Sequence, residues 1–267
     1  MTSPGFGKNM ATTCMVTPGK NKDIRVTESR KLLWELGKVI DIKSISPKVK
    51  LFTIETKKPH RIEPGQHFDI KLTSDSGYVA QRSYSVISDS NYTNQFQFGI
   101  SKITDGEVSK YLHEKLSISQ NLLIRGPIGK YFNLNKTTES VILIAGGIGI
   151  TPFIFYLRQK NYKNKISLIY SAKNQEEFLF KKELENKNKL YENFSLIVTL
   201  TKENKQTWKG LDSRINSKIL KKTIKNHLGI KTTYFVCGGS NFVENISSKL
   251  IKIGIEYQDI KIERFGP

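Results

Sequence analysis

The sequence has few of the residues on which metal sites and disulfide frameworks depend. Its 267 residues include two cysteines and four histidines. Cys14 and Cys237 lie far apart without a C-x-x-C pair, and the histidines show no metal-ligand spacing. We therefore predict no metal site, no disulfide framework, and no iron–sulfur cluster held by this chain alone.

Long apolar runs are also missing. The stretch VILIAGGIGITPFIFYL, Val141 to Leu157, is uncharged, but glycines and Pro152 interrupt it. A bilayer crossing needs roughly 20 mainly apolar residues. The N-terminal region has no apolar stretch of signal-peptide type either. We expect no membrane span, a cytoplasmic location, and a disordered or irregular tail over residues 1–30.

Acidic residues are outnumbered. Asp and Glu total 24 against 43 Lys and Arg, for a formal net charge of +19. The lysines are scattered through every segment, as a biased composition would produce, and no aromatic-plus-basic pattern of an RNA-binding sheet is present. We predict no nucleic-acid partner, although a lysine-rich nucleic-acid binder is a rival interpretation. The same charge could steer an acidic redox protein to the surface.

The hydrophobic pattern predicts two domains, an antiparallel six-stranded β-barrel over residues 31–135 and an α/β domain with a parallel sheet over residues 136–267. Short strands with turn signals between them fill the first part, with one helical insert, EVSKYLHEKL. In the second part apolar β-branched runs alternate with candidate helices. The runs are 141–145, 166–170, 194–200 and 232–236, the helices 151–160, 175–190, 213–226 and 240–253, and 259–263 could close the series.

The uncharged stretch is therefore interpreted as two elements in series. VILIA is a buried parallel strand, GGIG a tight turn, Thr151 a helix N-cap and Pro152 the first helical residue. A glycine turn between a strand and a helix suits a phosphate. However, Pro152 holds the position of the third glycine of G-x-G-x-x-G, and a merely structural turn is an open alternative.

Two further stretches carry candidate binding residues. The second parallel strand ends with Ser171 and Lys173 instead of an acidic residue, which favours the 2′-phosphate of NADP, although an ordinary exposed lysine is the alternative. In YVAQRSYSVIS, Arg82 and Tyr84 share one strand face, roughly 7 Å apart. They could meet a pyrophosphate and a flat aromatic ring. Spacing alone equally allows a core tyrosine and a surface arginine.

Six ordered motifs resemble the ferredoxin–NADP reductase superfamily over roughly residues 35 to 267. They are RSYS at 82–85, GEVSKYL at 106–112, GPIGKYF at 126–132, AGGIGITP at 145–152, VCGGSNFVENI at 236–246 and ERFG at 263–266. The resemblance implies an FAD-binding barrel followed by an NAD(P)-binding domain, with NADPH or NADH as co-substrate.

The resemblance also assigns roles to residues. Arg82 would bind the FAD pyrophosphate with Ser83 beside it, Tyr84 would stack on the isoalloxazine, and Ser85 would lie near the ring nitrogen that receives hydride. Tyr84, Ser85 and Cys237 are the catalytic candidates. The remaining cofactor-binding candidates are Gly106, Val108 and Ser109 for the FAD phosphates, Gly147, Gly149 and Thr151 for the coenzyme phosphates, Cys237, Gly238 and Gly239 beside the nicotinamide, and Phe265 over the flavin.

Two departures from the family pattern affect these roles. Gly239 and Ser240 stand where relatives often have proline, and Gly266 and Pro267 follow Phe265 where plant-type members end in tyrosine. For Cys237, a small apolar residue at a buried strand end is the alternative.

The resemblance implies an oxidoreductase in which hydride passes from NAD(P)H to FAD, and electrons pass to a separate acceptor. We expect an acidic ferredoxin or flavodoxin, since the lysine excess favours it. The alternatives are an oxygenase component, a haem protein, or service as an electron-transfer subunit of a larger complex. A nucleotide sensor that keeps the fold is a rival, which the flavin-stacking tyrosine disfavours.

Overall fold

The computed structural model describes residues 32–134, 139–159, 163–204 and 206–266. The tail predicted over residues 1–30, the boundary expected at residues 135 and 136, and Cys14 lie outside the described residues.

The first part forms a closed antiparallel barrel of six strands, as predicted. Its interior is filled by aromatic rings at alternate strand positions, among them Phe52, Phe96 and Phe98, all buried. Around the barrel the order is β1–β2–β5–β4–β3–β6. The elements are β1 (Glu35–Ser46), β2 (Val49–Arg61), β3 (His67–Thr73), β4 (Val79–Ile87), β5 (Tyr92–Ser101), α1 (Glu107–Glu114) and β6 (Asn121–Ile128).

The second part is a five-stranded parallel sheet with helices, which confirms the predicted α/β fold. Its strand order is β11–β10–β7–β8–β9. The elements are β7 (Ser140–Gly146), α2 (Thr151–Arg158), β8 (Lys165–Ala172), α3 (Lys181–Leu190), β9 (Phe194–Leu200), α4 (Ser217–Lys225), β10 (Thr232–Gly239), α5 (Ser240–Lys252) and β11 (Ile260–Phe265).

Strand β7 explains the uncharged stretch. Val141 and Leu143 contact the core on one face of the sheet, while Ile142 and Ile144 contact the core on the other. A strand covered on both faces has no solvent-facing position for a charge. The stretch is therefore a buried strand followed by a helix.

Helix α2 begins at residue 151, as predicted, but with a different N-cap, and the starts of α3 and α4 differ from the predictions. A single 3-10 turn over Gly147–Ile150 runs directly into α2, so Ile150 takes the N-cap position, and Thr151 and Pro152 are the first two helical residues. Helix α3 begins at Lys181 and not at residue 175, because Phe180 has a left-handed backbone (φ 56°). Helix α4 begins after Asn216, whose side chain accepts the Ile219 N–H at 3.0 Å.

Helix α2 packs on the barrel. Phe155 belongs to the barrel core. Arg158, the last residue of α2, contacts Glu183 of α3 through Nε at 2.9 Å and Asp89 after β4 through Nη1 at 3.2 Å. These contacts hold the end of α2 against α3 and against the segment that follows β4.

The amino-terminal half of the sheet contains a buried polar network around His227. The His227 Nδ1 hydrogen-bonds the Ser140 hydroxyl. The Nε2 lies 2.7 Å from the Ser167 hydroxyl, which in turn contacts Ser195 at 2.7 Å. Burial, and to a smaller extent the charge of nearby Lys165, lowers the pKa of His227 to about 4. The neutral imidazole therefore links three neighbouring strands at the end of the sheet away from the glycine turn.

Candidate active site

A cavity of about 580 Å³ lies where the barrel meets the parallel sheet. This volume is in the range of ligand sites, roughly 300–1,000 Å³. The wall combines residues from both parts of the chain. Nine of the residues singled out from the sequence line it: Arg82, Ser83, Tyr84, Ser85, Gly106, Val108, Ser109, Thr151 and Phe265. The other lining residues, which the sequence did not indicate, are Gly99, Ser101, Ile103, Asp105, Ile148 and Gly266.

One side of the cavity is an unpaired strand edge. Strand β4 pairs with β3 from Val79 to Ser85, but with β5 only at Val86 and Ile87. The β5-facing edge of Arg82–Ser85 therefore makes no ladder hydrogen bonds, and Gly99 and Ser101 of β5 line the opening. Backbone donors and acceptors on such an edge are available to a ligand.

Side chains of β4 differ in what they offer. Arg82 is exposed, and its Nη1 donates to the Gln81 carbonyl at 2.7 Å. Burial raises the pKa of the Tyr84 phenol, with a smaller opposite effect of Arg82, so the phenol is neutral. The Ser83 hydroxyl donates to Asp69 at 2.6 Å and is thereby engaged.

The loop before α1 forms the far wall. The Ser109 hydroxyl accepts the Ile103 N–H at 3.2 Å and donates to the Gly106 carbonyl at 3.3 Å, which ties the loop to the first turn of the helix. Gly106 is the N-cap and provides no side-chain cap. The amide groups of the first helical turn have no partner within a helix, and their dipoles favour an anion.

The glycine turn approaches the cavity from the sheet. Ile148 and Thr151 line the cavity, whereas Gly147 and Gly149 do not. Gly147 has φ +54°, which favours glycine. A methyl group at Gly149 would lie 2.3 Å from the Cys237 carbonyl oxygen, so the turn packs directly on the end of β10.

A carboxyl that the sequence did not single out lies beside this wall. Glu263 of β11 is in register with Cys237 of β10. Burial raises the pKa of Glu263 to about 7, against a smaller lowering effect of the Ser85 hydroxyl. That hydroxyl is buried and makes no hydrogen bond of normal length and angle. Glu263 belongs to the ERFG motif, and its position two residues before the terminal aromatic Phe265 is the sequence feature that could have identified it.

Cys237 is fully buried and does not line the cavity. Burial, and next the charge of Glu263, raise the pKa of its thiol well above the usual range. The thiol is therefore neutral and packed in the core next to the turn.

The remaining candidates lie at the carboxyl edge of the sheet, outside the cavity. Gly238 and Gly239 end β10, and Ser171 is near the end of β8. Lys173, just after β8, is half-exposed, with its Nζ 3.8 Å from Glu177. The sequence-predicted residues thus form two groups, one in the cavity and one along the edge that the glycine turn shares.

Within the described ranges, no group of three or more His, Cys, Asp and Glu side chains could hold a metal ion. Over the same residues, every helix is too short or too polar to cross a membrane.

Two domain families match the chain. Residues 36–133 match the oxidoreductase FAD-binding domain, and residues 143–248 match the oxidoreductase NAD-binding domain. The first covers the barrel with its cavity-lining strands, and the second covers the glycine turn and the parallel sheet through β10.

Curated relatives are longer than this chain. The glycine betaine monooxygenase reductase subunit of Chromohalobacter salexigens is 25% identical over 209 residues, covering 76% of this chain and 56% of the relative. The phenol hydroxylase P5 protein of Acinetobacter pittii is 26% identical over 231 residues, covering 85% of this chain and 64% of the relative. The chain thus spans less than two thirds of either relative.

A solved structure shares the whole fold. The ferredoxin NADP+ reductase of Neisseria gonorrhoeae, determined with bound FAD and NADP, has a TM-score of 0.73 and 22% identity, over 86% of this chain and 98% of that chain. With an FAD-binding barrel and an NAD-binding sheet in this order, the chain belongs to the ferredoxin–NADP reductase superfamily.

Proposed function

We propose that this chain is an NAD(P)H oxidoreductase that binds FAD in the cavity, takes hydride from a reduced pyridine nucleotide and passes electrons to a separate oxygenase component. One observation carries the proposal: a single cavity is walled by the free edge of Arg82–Ser85 on one side and by Ile148 and Thr151 on the other. Two ligands held by the two domains would meet there.

The residues present fit FAD. The accessible Arg82 guanidinium and the uncapped start of α1 are suited to its pyrophosphate. The unpaired edge of β4 offers backbone groups to the polar rim of a flavin, and the neutral Tyr84 ring offers an aromatic surface. When bound, FAD would supply hydride acceptance and one-electron chemistry, while the protein orients it and excludes water.

Ser85 and Glu263 are suited to hold a proton at the cavity wall. With a pKa of about 7, the Glu263 carboxyl can be protonated or ionised near neutral pH. Ser85 lines the cavity, and its buried hydroxyl acts on the Glu263 carboxyl. We infer that the pair supports proton movement to the reacting atoms, and that Cys237 acts through packing beside the coenzyme.

The coenzyme would bind along the carboxyl edge of the sheet. The Gly147–Thr151 turn suits its phosphates, and Gly239, next to Gly238, leaves room for its nicotinamide end. Ser171 and Lys173 would accept a 2′-phosphate, so we propose that NADPH is used as well as NADH. Phe265 lines the cavity and would cover the flavin.

The acceptor we propose differs from the one the sequence favoured. Two of the relatives are named for a monooxygenase and a phenol hydroxylase, which favours an oxygenase component over ferredoxin or flavodoxin. The excess of lysines would attract an acidic surface on any of these acceptors, and added salt should weaken their association with this chain.

The test is reconstitution with FAD, followed by anaerobic addition of NADPH or NADH while the flavin absorbance is recorded. We expect a yellow protein that bleaches with either donor, and reoxidation by an oxygenase component faster than by ferredoxin, flavodoxin or a haem protein. Arg82→Gln should weaken FAD retention about tenfold or more, as expected for a lost charged contact. Arg61→Gln, an exposed arginine outside the cavity, is the control. A protein that stays colourless with excess FAD would refute the proposal.

A further inference from the structure

Tyr170 holds the glycine turn from inside the sheet. It lies in β8, is fully buried, and packs edge-on against Phe178 with ring centroids 5.5 Å apart. Its hydroxyl donates to the Gly147 carbonyl oxygen at 3.0 Å. The Glu177 carbonyl is farther away, at 3.5 Å, so Gly147 is the better acceptor.

This hydrogen bond fixes the orientation of one peptide unit. In a trans peptide the carbonyl and the following N–H point in opposite directions. Because the Gly147 carbonyl points to the buried phenol, the N–H of Ile148 points away from the core. Ile148 lines the cavity, and the space around the Gly147 α-carbon is open.

The turn is also held on its other side. Gly149 packs against the Cys237 carbonyl so closely that no β-carbon would fit. Burial raises the pKa of Tyr170, so the phenol stays protonated and can donate. Two buried contacts therefore set the turn before any ligand arrives, which is the arrangement that lowers the cost of binding.

We propose that Tyr170 is a positioning residue, which fixes the Gly147 carbonyl and thereby aims the Ile148 N–H at a phosphate of the pyridine nucleotide. The inference rests on the proposed function, because Tyr170 is assigned a role in the coenzyme site that the proposed function places at this turn. Tyr170 is fully buried and does not line the cavity, so it would act through the peptide that it holds.

The test is Tyr170→Phe in FAD-loaded full-length protein. Isothermal titration calorimetry with NADP+ and with NAD+ gives the Kd, and oxidation of NADPH and NADH with ferricyanide gives KM and kcat. We expect Kd and KM to rise roughly three- to tenfold for both nucleotides, the factor for one ordinary hydrogen bond, with kcat within about twofold.

Tyr234→Phe is the matched control, since Tyr234 is a buried tyrosine of β10 at the far end of the same sheet. Equal effects of both variants, or unchanged Kd in Tyr170→Phe, would overturn the inference. Wild-type protein that binds neither nucleotide would instead refute the proposed function.

If Tyr170→Phe does not fold, Gly147→Ala takes its place: the added methyl group has room, but the positive φ of this residue disfavours alanine. Unchanged Kd in that variant overturns the inference too.

Discussion

Replacing Glu263 by glutamine should remove a pH dependence of the folding free energy. In the folded protein burial raises the pKa of this carboxyl from 4.5 to about 7. Between these values the folded state binds more protons than the unfolded chain. The free energy of unfolding therefore falls as pH rises: the stabilisation is complete below about pH 4.5 and is lost above about pH 7.

The magnitude follows from the size of the pKa change. A difference of about 2.5 pH units, at 1.36 kcal/mol for each, is roughly 3 kcal/mol. Glutamine keeps the shape of the side chain and does not titrate. Relative to wild type, Glu263→Gln should therefore gain roughly 3 kcal/mol of stability between about pH 4.5 and about pH 8.

Urea unfolding of flavin-free protein over this pH range measures the difference. Circular dichroism and tryptophan fluorescence should both be followed, because a free energy is defined only where the two transitions coincide. Glu256→Gln, at an exposed glutamate before β11, is the control and should leave the pH profile unchanged. If the free energies of unfolding of wild type and Glu263→Gln change with pH in parallel, the carboxyl is not buried. The proposed role of Glu263 in proton movement would then also be refuted.

Two further predictions concern contacts away from the cavity. The pKa of His227 is lowered from 6.5 to about 4, so the neutral imidazole stabilises the fold above about pH 6.5, and up to roughly 3 kcal/mol of this stability is lost as pH falls toward 4. In His227→Gln, the free energy of unfolding measured with urea should change less with pH over that range. An unchanged pH dependence would contradict the burial of His227. Arg158→Gln removes charged hydrogen bonds to Glu183 and Asp89 and should lower stability by about 1–3 kcal/mol, read as a lower Tm. Arg214→Gln, at an exposed arginine, is the control. Equal Tm values for Arg158→Gln and Arg214→Gln would refute the stabilising role of the Arg158 contacts.

The sequence predicted the elements wherever burial is repetitive. The parallel strands were found because runs such as 141–145 are covered on both faces. The starts at 151 and 240 were predicted correctly, whereas the N-cap of α2 and the starts of α3 and α4 were not. The left-handed backbone of Phe180 and the 3-10 turn over Gly147–Ile150 are local conformations that the spacing of apolar residues does not encode.

The cavity residues divide in the same way. Arg82, Tyr84 and Thr151 could be found because they lie in contiguous motifs. Gly99 and Ser101 could not, because they line the cavity only where β5 separates from β4, and that separation is a property of strand register. Non-local pairing decides such positions, so a linear reading of the chain does not reach them.

Glu263 shows how much of the function depends on the meeting of the two domains. Its neighbour across the ladder is Cys237, in the sheet, whereas Ser85, which acts on its pKa, belongs to the barrel. A carboxyl removed from water without a cation beside it is costly, and a fold that needed only packing would favour an apolar side chain there. Sites at which local rules are broken in this way are typically functional. The barrel and the sheet each contain an apolar core, but only their contact brings the Glu263 carboxyl, with a pKa near neutral pH, beside the hydroxyl of the cavity-lining Ser85. The proton would therefore be handled at the domain boundary, where flavin and coenzyme would also meet.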